Sequence, residues 1–273
     1  MISKVLPQPF GKLKKTLLLT GGSSGIGLHT VQLFVEKGWT VFELSRSGKT
    51  TQYATHIDCD VTDDESVKQA ISEVMQRIDH LDVVINNAGF GISGPIEYTS
   101  TTEAQKQFDV NFFGAFRLTK AVLPILRKQG RGRIIFTSSV AADLSIPYQS
   151  FYSASKSALN AMALALANEV REFGIRVSVL MPGDVATGFT DAREKSIQGA
   201  EVYKGVHSAV AAMEKDEQNG MSPRYMARNL YRIATCRSPK PIYVGGAIYK
   251  LFCLLNRLLP KRLVNWIVGK LYC

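Results

Sequence analysis

Residues 16–27 read Thr16-Leu-Leu-Leu-Thr20-Gly-Gly-Ser-Ser-Gly-Ile-Gly27, an apolar run that breaks into a glycine-rich turn. The run reads as a buried strand, and the apolar periodicity that follows reads as a helix over 27–37, stopped by Gly38. A strand that feeds a helix through glycines presents the helix's free N–H groups to whatever lies in the turn, which suits the pyrophosphate of a dinucleotide. Gly21 permits the tight turn, Gly25 lets backbone approach phosphate, and Gly27 lets the helix lie close to the sheet. The spacing is GxxxGxG rather than GxGxxG, so the turn alone leaves an ordinary strand-to-helix loop open.

The same alternation continues outward from this turn. Strand patterns fall at 40–44, 55–58, 81–86, 133–138, 176–181 and 241–244, and helical patterns at 63–77, 101–129 and 151–173, with Ser222-Pro223 opening another. Strands this uniformly apolar are covered on both faces. The order therefore predicts an α/β fold, a doubly wound parallel sheet with its ligand at the carboxyl ends of the strands. At 273 residues, 45% of them hydrophobic and 21% charged, with no linker-like stretch, the chain is sized for one domain.

Cys59, Cys236, Cys253 and Cys273 lack CxxC spacing, so free thiols are expected and no metal site. No 18-residue stretch is apolar enough to span a bilayer, and the first ten residues lack a secretory pattern, so a cytoplasmic location is expected. The net charge is +10, yet residues 1–217 hold 23 Lys+Arg against 23 Asp+Glu, while residues 218–273 hold ten against none. That excess is interleaved with Leu, Ile, Tyr and Trp. An acidic membrane surface or anionic lipid fits it better than nucleic acid, which is not expected as a partner.

After the glycine turn come Asp60-Val61, Asn86-Asn-Ala-Gly89, Asn111, Thr137-Ser-Ser139, Tyr152-Ser-Ala-Ser-Lys156, and Pro182-Gly183 through Thr187. With these motifs in this order, the chain resembles the classical short-chain dehydrogenase/reductase family across roughly residues 14–190. The resemblance implies a Rossmann-type fold and an oxidoreductase acting on CH–OH groups with a nicotinamide cofactor. It makes Tyr152 the acid/base, Lys156 its partner, Ser139 the donor that orients the carbonyl and Asn111 the anchor of a proton relay. It places cofactor contacts at Gly21, Ser23, Ser24, Gly25, Ile26 and Gly27, at Asp60 and Val61, and at Asn87, Ala88 and Gly89. Further contacts are implied at Tyr152 and Lys156 and at Pro182, Gly183, Val185 and Thr187.

The chemistry of these residues agrees with the roles. A tyrosine near pKa 10 is a poor base at neutral pH, and an ammonium one helical turn away favours its phenolate. The i, i+4 spacing puts both side chains on one helix face. Ser138 and Ser139 point to opposite sides if the strand continues, so one faces the site. The family's 13-residue spacing to Tyr152 selects Ser139 and leaves Ser138 facing the core.

NAD-specific members carry an acidic residue 25 positions after the first Thr of the glycine motif, which here is Ser45, followed by Arg46. A small hydroxyl and a guanidinium would bind a 2′-phosphate, so NADP(H) is expected. Glu43, which by count points back into the strand interior, is the competing carboxylate.

Residues 188–220 are polar with Ala-rich patches and read as a substrate lid, with Tyr203 and His207 as exposed candidates for substrate contact. The sequence divides into a catalytic domain over 1–245 and a basic amphipathic extension over 246–273. In the extension Ile248, Leu251, Phe252, Leu255, Leu258 and Leu259 share one helical face. It is read either as a helix packed on the domain or a partner subunit, or as an element meeting membrane or a lipophilic substrate. Its Leu258-Leu-Pro-Lys-Arg262 stretch resembles tails of family members acting on steroids, retinoids and acyl-glycerone lipids. A hydroxysteroid is the first expectation for the lipophilic substrate, acyl-glycerone phosphate or another lipid carbonyl the alternative, and a catalytically silent binding protein the remote one. Small residues along the helix after Tyr152 predict a homodimer or homotetramer.

Overall fold

The computed structural model describes residues 14–51, 54–195 and 198–272. The N-terminal ten residues and Cys273, both read from the sequence above, lie outside them. Among the described residues Cys59, Cys236 and Cys253 are free thiols and no helix is long and apolar enough to cross a membrane.

The first half is built from strands β1 (Thr16–Thr20), β2 (Thr40–Ser45), β3 (Thr55–Asp58), β4 (Val83–Asn86) and a short β5 (Ile92–Ser93), with helices α1 (Gly25–Glu36) and α2 (Asp64–Met75). There follow α3 (Thr101–Phe108), α4 (Gly114–Gln129), β6 (Gly132–Thr137), α5 (Ser150–Glu169) and β7 (Ile175–Pro182). The remainder is β8 (Glu194–Lys195), α6 (Val206–Gln218), α7 (Pro223–Thr235), β9 (Ile242–Gly245), α8 (Ala247–Leu258) and α9 (Lys261–Tyr272). Seven strands form one parallel sheet in the order β3-β2-β1-β4-β6-β7-β9. The order reverses beside β1, and the crevice at the carboxyl ends there is where such sheets bind ligand.

Side-chain alternation along β1 explains the two-faced core. Leu18 joins Phe42, Val84 and Ile134 on the face covered by α2, α4 and α5, whereas Leu17 and Leu19 join Phe34, Ile85, Met226 and Leu230 on the face covered by α1 and α7. Local signals set the helix starts: Asp63 accepts from the Glu65 N–H, Ser100 and Glu103 form a capping box, and Ser222 with Pro223 opens α7. The single helical pattern expected over 101–129 is interrupted by a π-turn at Asp109–Phe113, where the Asn111 side chain is bonded in both directions to the Phe90 backbone.

The lid region is tied to the segment that follows β4 by parallel pairing of β5 with β8, a separate two-stranded sheet. The extension begins as part of the body. Cys253 lies in the core, Asn256 donates to the Asp143 carbonyl at 2.8 Å, and Tyr249 donates to Asp184 at 2.5 Å. Its apolar face, expected either to pack or to meet lipid, points outward (below).

Candidate active site

A cleft of about 240 Å³ opens at the carboxyl ends of β1, β4, β6 and β7. One wall is the glycine turn. Gly21 and Gly25 hold φ of +68° and +50°, and a side chain at Gly27 would run into the Gly21 carbonyl oxygen, so α1 can start here only with glycine at these places. Thr20 receives the Asn87 and Ala88 N–H groups on its hydroxyl at 3.0 and 3.1 Å, which clamps the turn to the end of β4.

Gly21, Ser24, Gly25 and Ile26 line this wall with Asn87, Ala88 and Gly89, and Pro182, Gly183, Val185 and Thr187 close it from β7. Gly27 lies beneath the turn and Ser23 is exposed on it. Ser45, Arg46, Asp60 and Val61 stand apart from the cleft, at or just beyond the neighbouring ends of β2 and β3. Burial works to raise the Asp60 pKa, but two hydrogen bonds from Thr62 and the charges of Arg46 and Arg117 outweigh it and hold the carboxylate below its ordinary value.

The catalytic candidates converge on the floor of the cleft. Tyr152 and Lys156 project from the first turns of α5, with the Lys156 ammonium 5.8 Å from the Tyr152 ring centre and donating to the Thr137 carbonyl at 3.0 Å. Ser139, just beyond the end of β6, shares the cleft floor with Tyr152, where its hydroxyl works to lower the phenol's pKa. Ser138 is turned away, donating to the Lys156 carbonyl at 3.2 Å inside the core. Asn111 is held by the π-turn with its amide on the Phe90 carbonyl at 3.0 Å and on Ser155 at 3.1 Å. A methyl group on Gly89 would lie 3.0 Å from the Asn111 amide oxygen and 3.3 Å from the Lys156 nitrogen, so the three share one corner.

The electrostatics differ from the sequence expectation in one respect. Desolvation pushes the Tyr152 phenol up to about 12, against the lowering effect of its Ser139 hydrogen bond, and pushes Lys156 down to about 8. Desolvation of the phenol outweighs the pull of the neighbouring ammonium toward phenolate. Tyr152 is thus a proton donor at neutral pH.

The opposite wall was not legible in the sequence. It comprises Gln149 and Ile146 before α5, Phe189 and Ala192 of the lid, Met213 and Glu217 of α6, Asp184 after β7, and Tyr272 from the last turn of α9. Phe189 packs on Tyr152 with ring centres 5.6 Å apart, and the guanidinium of buried Arg193 stacks on Phe189 while pairing with Glu217. Tyr203 is engaged by Glu97 at 2.8 Å and His207 is exposed; neither lines the cleft.

Comparison with known proteins agrees with this geometry. The family described as short chain dehydrogenase matches residues 15–198. The chain belongs to that family. A 3-ketodihydrosphingosine reductase from Bacteroides thetaiotaomicron is 37% identical over 261 residues, covering 94% of this chain and 97% of that protein. Human retinol dehydrogenase 8 is 39% identical over 190 residues, covering 64% of this chain and 60% of that protein. Among solved structures, a short-chain dehydrogenase from Streptomyces avermitilis superposes with a TM-score of 0.81 at 29% identity, covering 91% of this chain and 93% of that one.

As a short-chain dehydrogenase, the protein is an oxidoreductase acting on CH–OH groups with NAD(P)(H). The residues present fit such a dinucleotide. The glycine cradle has no side chains in the way, and two buried hydroxyls, Ser45 Oγ and Thr137 Oγ1, have no hydrogen-bond partner within the protein. Held there, a nicotinamide would supply hydride transfer to or from a substrate carbon. Beside that position the cleft offers the Ser139 hydroxyl and the Tyr152 phenol, the latter protonated at neutral pH.

Proposed function

We propose that the protein reduces the ketone of a long-chain lipid, with NADPH as donor. The observation that carries the substrate reading is the lining of the wall facing Tyr152. Phe189, Ala192, Met213, Ile146 and Tyr272 make it apolar; Glu217 is neutralised by its ion pair with Arg193, which leaves Asp184 as the carboxylate without a cationic partner. An apolar wall accepts an acyl chain, and one carboxylate favours an ammonium near the ketone over a phosphate. A sphingoid ketone has that chemistry, and the 37% relative is named for one. Acyl-glycerone phosphate is the less suited alternative. A hydroxysteroid, first choice on the sequence, stands second, since the same apolar wall accepts a ring system.

Tyr152 suits the reducing direction: burial pushes its phenol up to about 12, so it is protonated throughout the neutral range and placed to give a ketone oxygen its proton, and in the reverse reaction the same group takes that proton back. The cofactor reading rests on the end of β2. Ser45 Oγ is buried without a partner, Arg46 is exposed beside it, and Glu43 is buried under Gly22 of the glycine turn and bonded to His56 at 2.5 Å. A free hydroxyl and a guanidinium suit a 2′-phosphate.

The test is cofactor oxidation with a panel of a long-chain 2-amino-3-ketone, its analogue lacking the amine, a ketosteroid and an acyl-glycerone phosphate. The amino ketone is expected to show the highest kcat/KM, and NADPH to exceed NADH. Preference for the phosphate, or for NADH, overturns the corresponding half of the reading. No turnover of any carbonyl would leave a silent binding protein.

A further inference from the structure

Of the 17 large apolar side chains exposed among the described residues, ten lie on α8 and α9. Leu258, Leu271 and Trp266 are 70%, 63% and 60% exposed, and Leu251, Leu254 and Leu263 extend the same patch. A helix packed on a soluble domain normally turns its apolar stripe inward. Here the inward contacts of α8 include polar ones, Tyr249 to Asp184 and Asn256 to Asp143, and Lys261 bonds Asn256 at 2.9 Å where α9 begins. These bonds fix the apolar stripe outward.

The patch is rimmed by Lys250, Arg257, Lys261, Arg262 and Lys270, all exposed, and residues 218–273 contain no Asp or Glu. We infer that the α8–α9 segment docks on an anionic bilayer surface. Apolar side chains enter the acyl boundary while the lysines and arginines meet lipid phosphates. A second copy is a poor occupant of this face. Two such segments face to face would set five cations against five with no carboxylate from residues 218–273 between them. Each helix has 12 residues, about 18 Å, against a hydrocarbon core of roughly 30 Å, so the segment lies on the bilayer rather than across it.

The segment also belongs to the active site's wall, because Tyr272, one residue from exposed Leu271, lines the cleft. Docking therefore brings the cleft to the lipid surface. That delivery role rests on the lipid-ketone reading above, whereas docking itself does not.

The experiment is sedimentation of the full-length protein with vesicles of phosphatidylcholine, with and without phosphatidylglycerol. Binding is expected to the anionic vesicles, to weaken about tenfold or more as salt rises to about 0.5 M, and to shift Trp266 emission to the blue. The double variant Leu258→Glu/Trp266→Glu should lose at least about tenfold in vesicle affinity while still reducing a small soluble ketone, which shows that it is folded. Absence of binding by the wild type, or equal binding by the double variant, overturns the proposal. A wild-type dimer that the double variant dissociates, without vesicle binding, overturns it in favour of a second copy. Vesicle binding together with no activity on any lipid ketone supports docking and removes only the delivery role.

Discussion

The two walls of one cleft were built by different rules. The nucleotide wall, from the glycine turn to Lys156, consists of short motifs whose internal spacing sets their geometry, such as the i, i+4 pair Tyr152/Lys156 on a single helix. The opposite wall joins residues far apart in the chain: Asp184 meets Tyr249, 65 positions on, and Glu217 holds Arg193 and Thr190. On the function proposed above, the first wall carries the chemistry and the second the choice of ketone. Substitutions should divide along the same line, with loss of turnover for every substrate on the first wall and loss of discrimination on the second.

The largest effect is expected for Tyr152→Phe, which removes the proton donor and should lower kcat by roughly 10²–10⁴-fold on all ketones while sparing cofactor affinity in fluorescence titration. Near-normal turnover would dissolve the distinction between the walls. Next is cofactor choice. Ser45→Asp with Arg46→Ala replaces a phosphate site by a carboxylate and should swing the NADPH/NADH ratio of kcat/KM by about ten- to a hundredfold, equally for short and long ketones.

A smaller, pH-dependent effect belongs to Lys156. Desolvation lowers its pKa to about 8, so the ammonium is present below that pH and is lost above it. The reduction rate, measured as kcat/KM, should be highest below about pH 8 and decline as the lysine deprotonates, with the same midpoint for every substrate. A midpoint that varies with substrate would tie the titration to the other wall. The smallest effect is expected for Tyr249→Phe, which deletes one hydrogen bond to Asp184 worth about 1 kcal/mol. A several-fold rise in KM for the long amino ketone is expected, with unchanged kcat for a small diketone.

The assembly proposal concerns another surface. Phe113 and Phe116, near the start of α4, and Leu164 of α5 are exposed beside the small residues of α5, an apolar face that suits a second copy better than the basic α8–α9 segment does. Light scattering should show a dimer or tetramer, and Phe116→Glu should shift it toward monomer.

By itself the sequence determined the strand–turn–helix at 16–36, the parallel α/β order and the residues that line up as Asn111, Ser139, Tyr152 and Lys156. The strand, turn and helix depend on contacts a few positions apart, and the four site residues on motifs whose order and spacing match a family. Alternation put Ser138 and Ser139 on opposite sides, and the family spacing to Tyr152 chose between them. Composition also determined that the tail is basic and apolar. The tertiary structure alone decided where that tail goes. Helical periodicity shows that Leu251, Leu255 and Leu258 share a face but not whether it turns inward, and Asp143 and Asp184 settle it by holding Asn256 and Tyr249. The tertiary structure likewise decided the ionisation of the site. Spacing alone suggests that a lysine lowers its neighbour's pKa, but desolvation of both groups depends on how β6, α5 and the lid close over them, and burial outweighs proximity here.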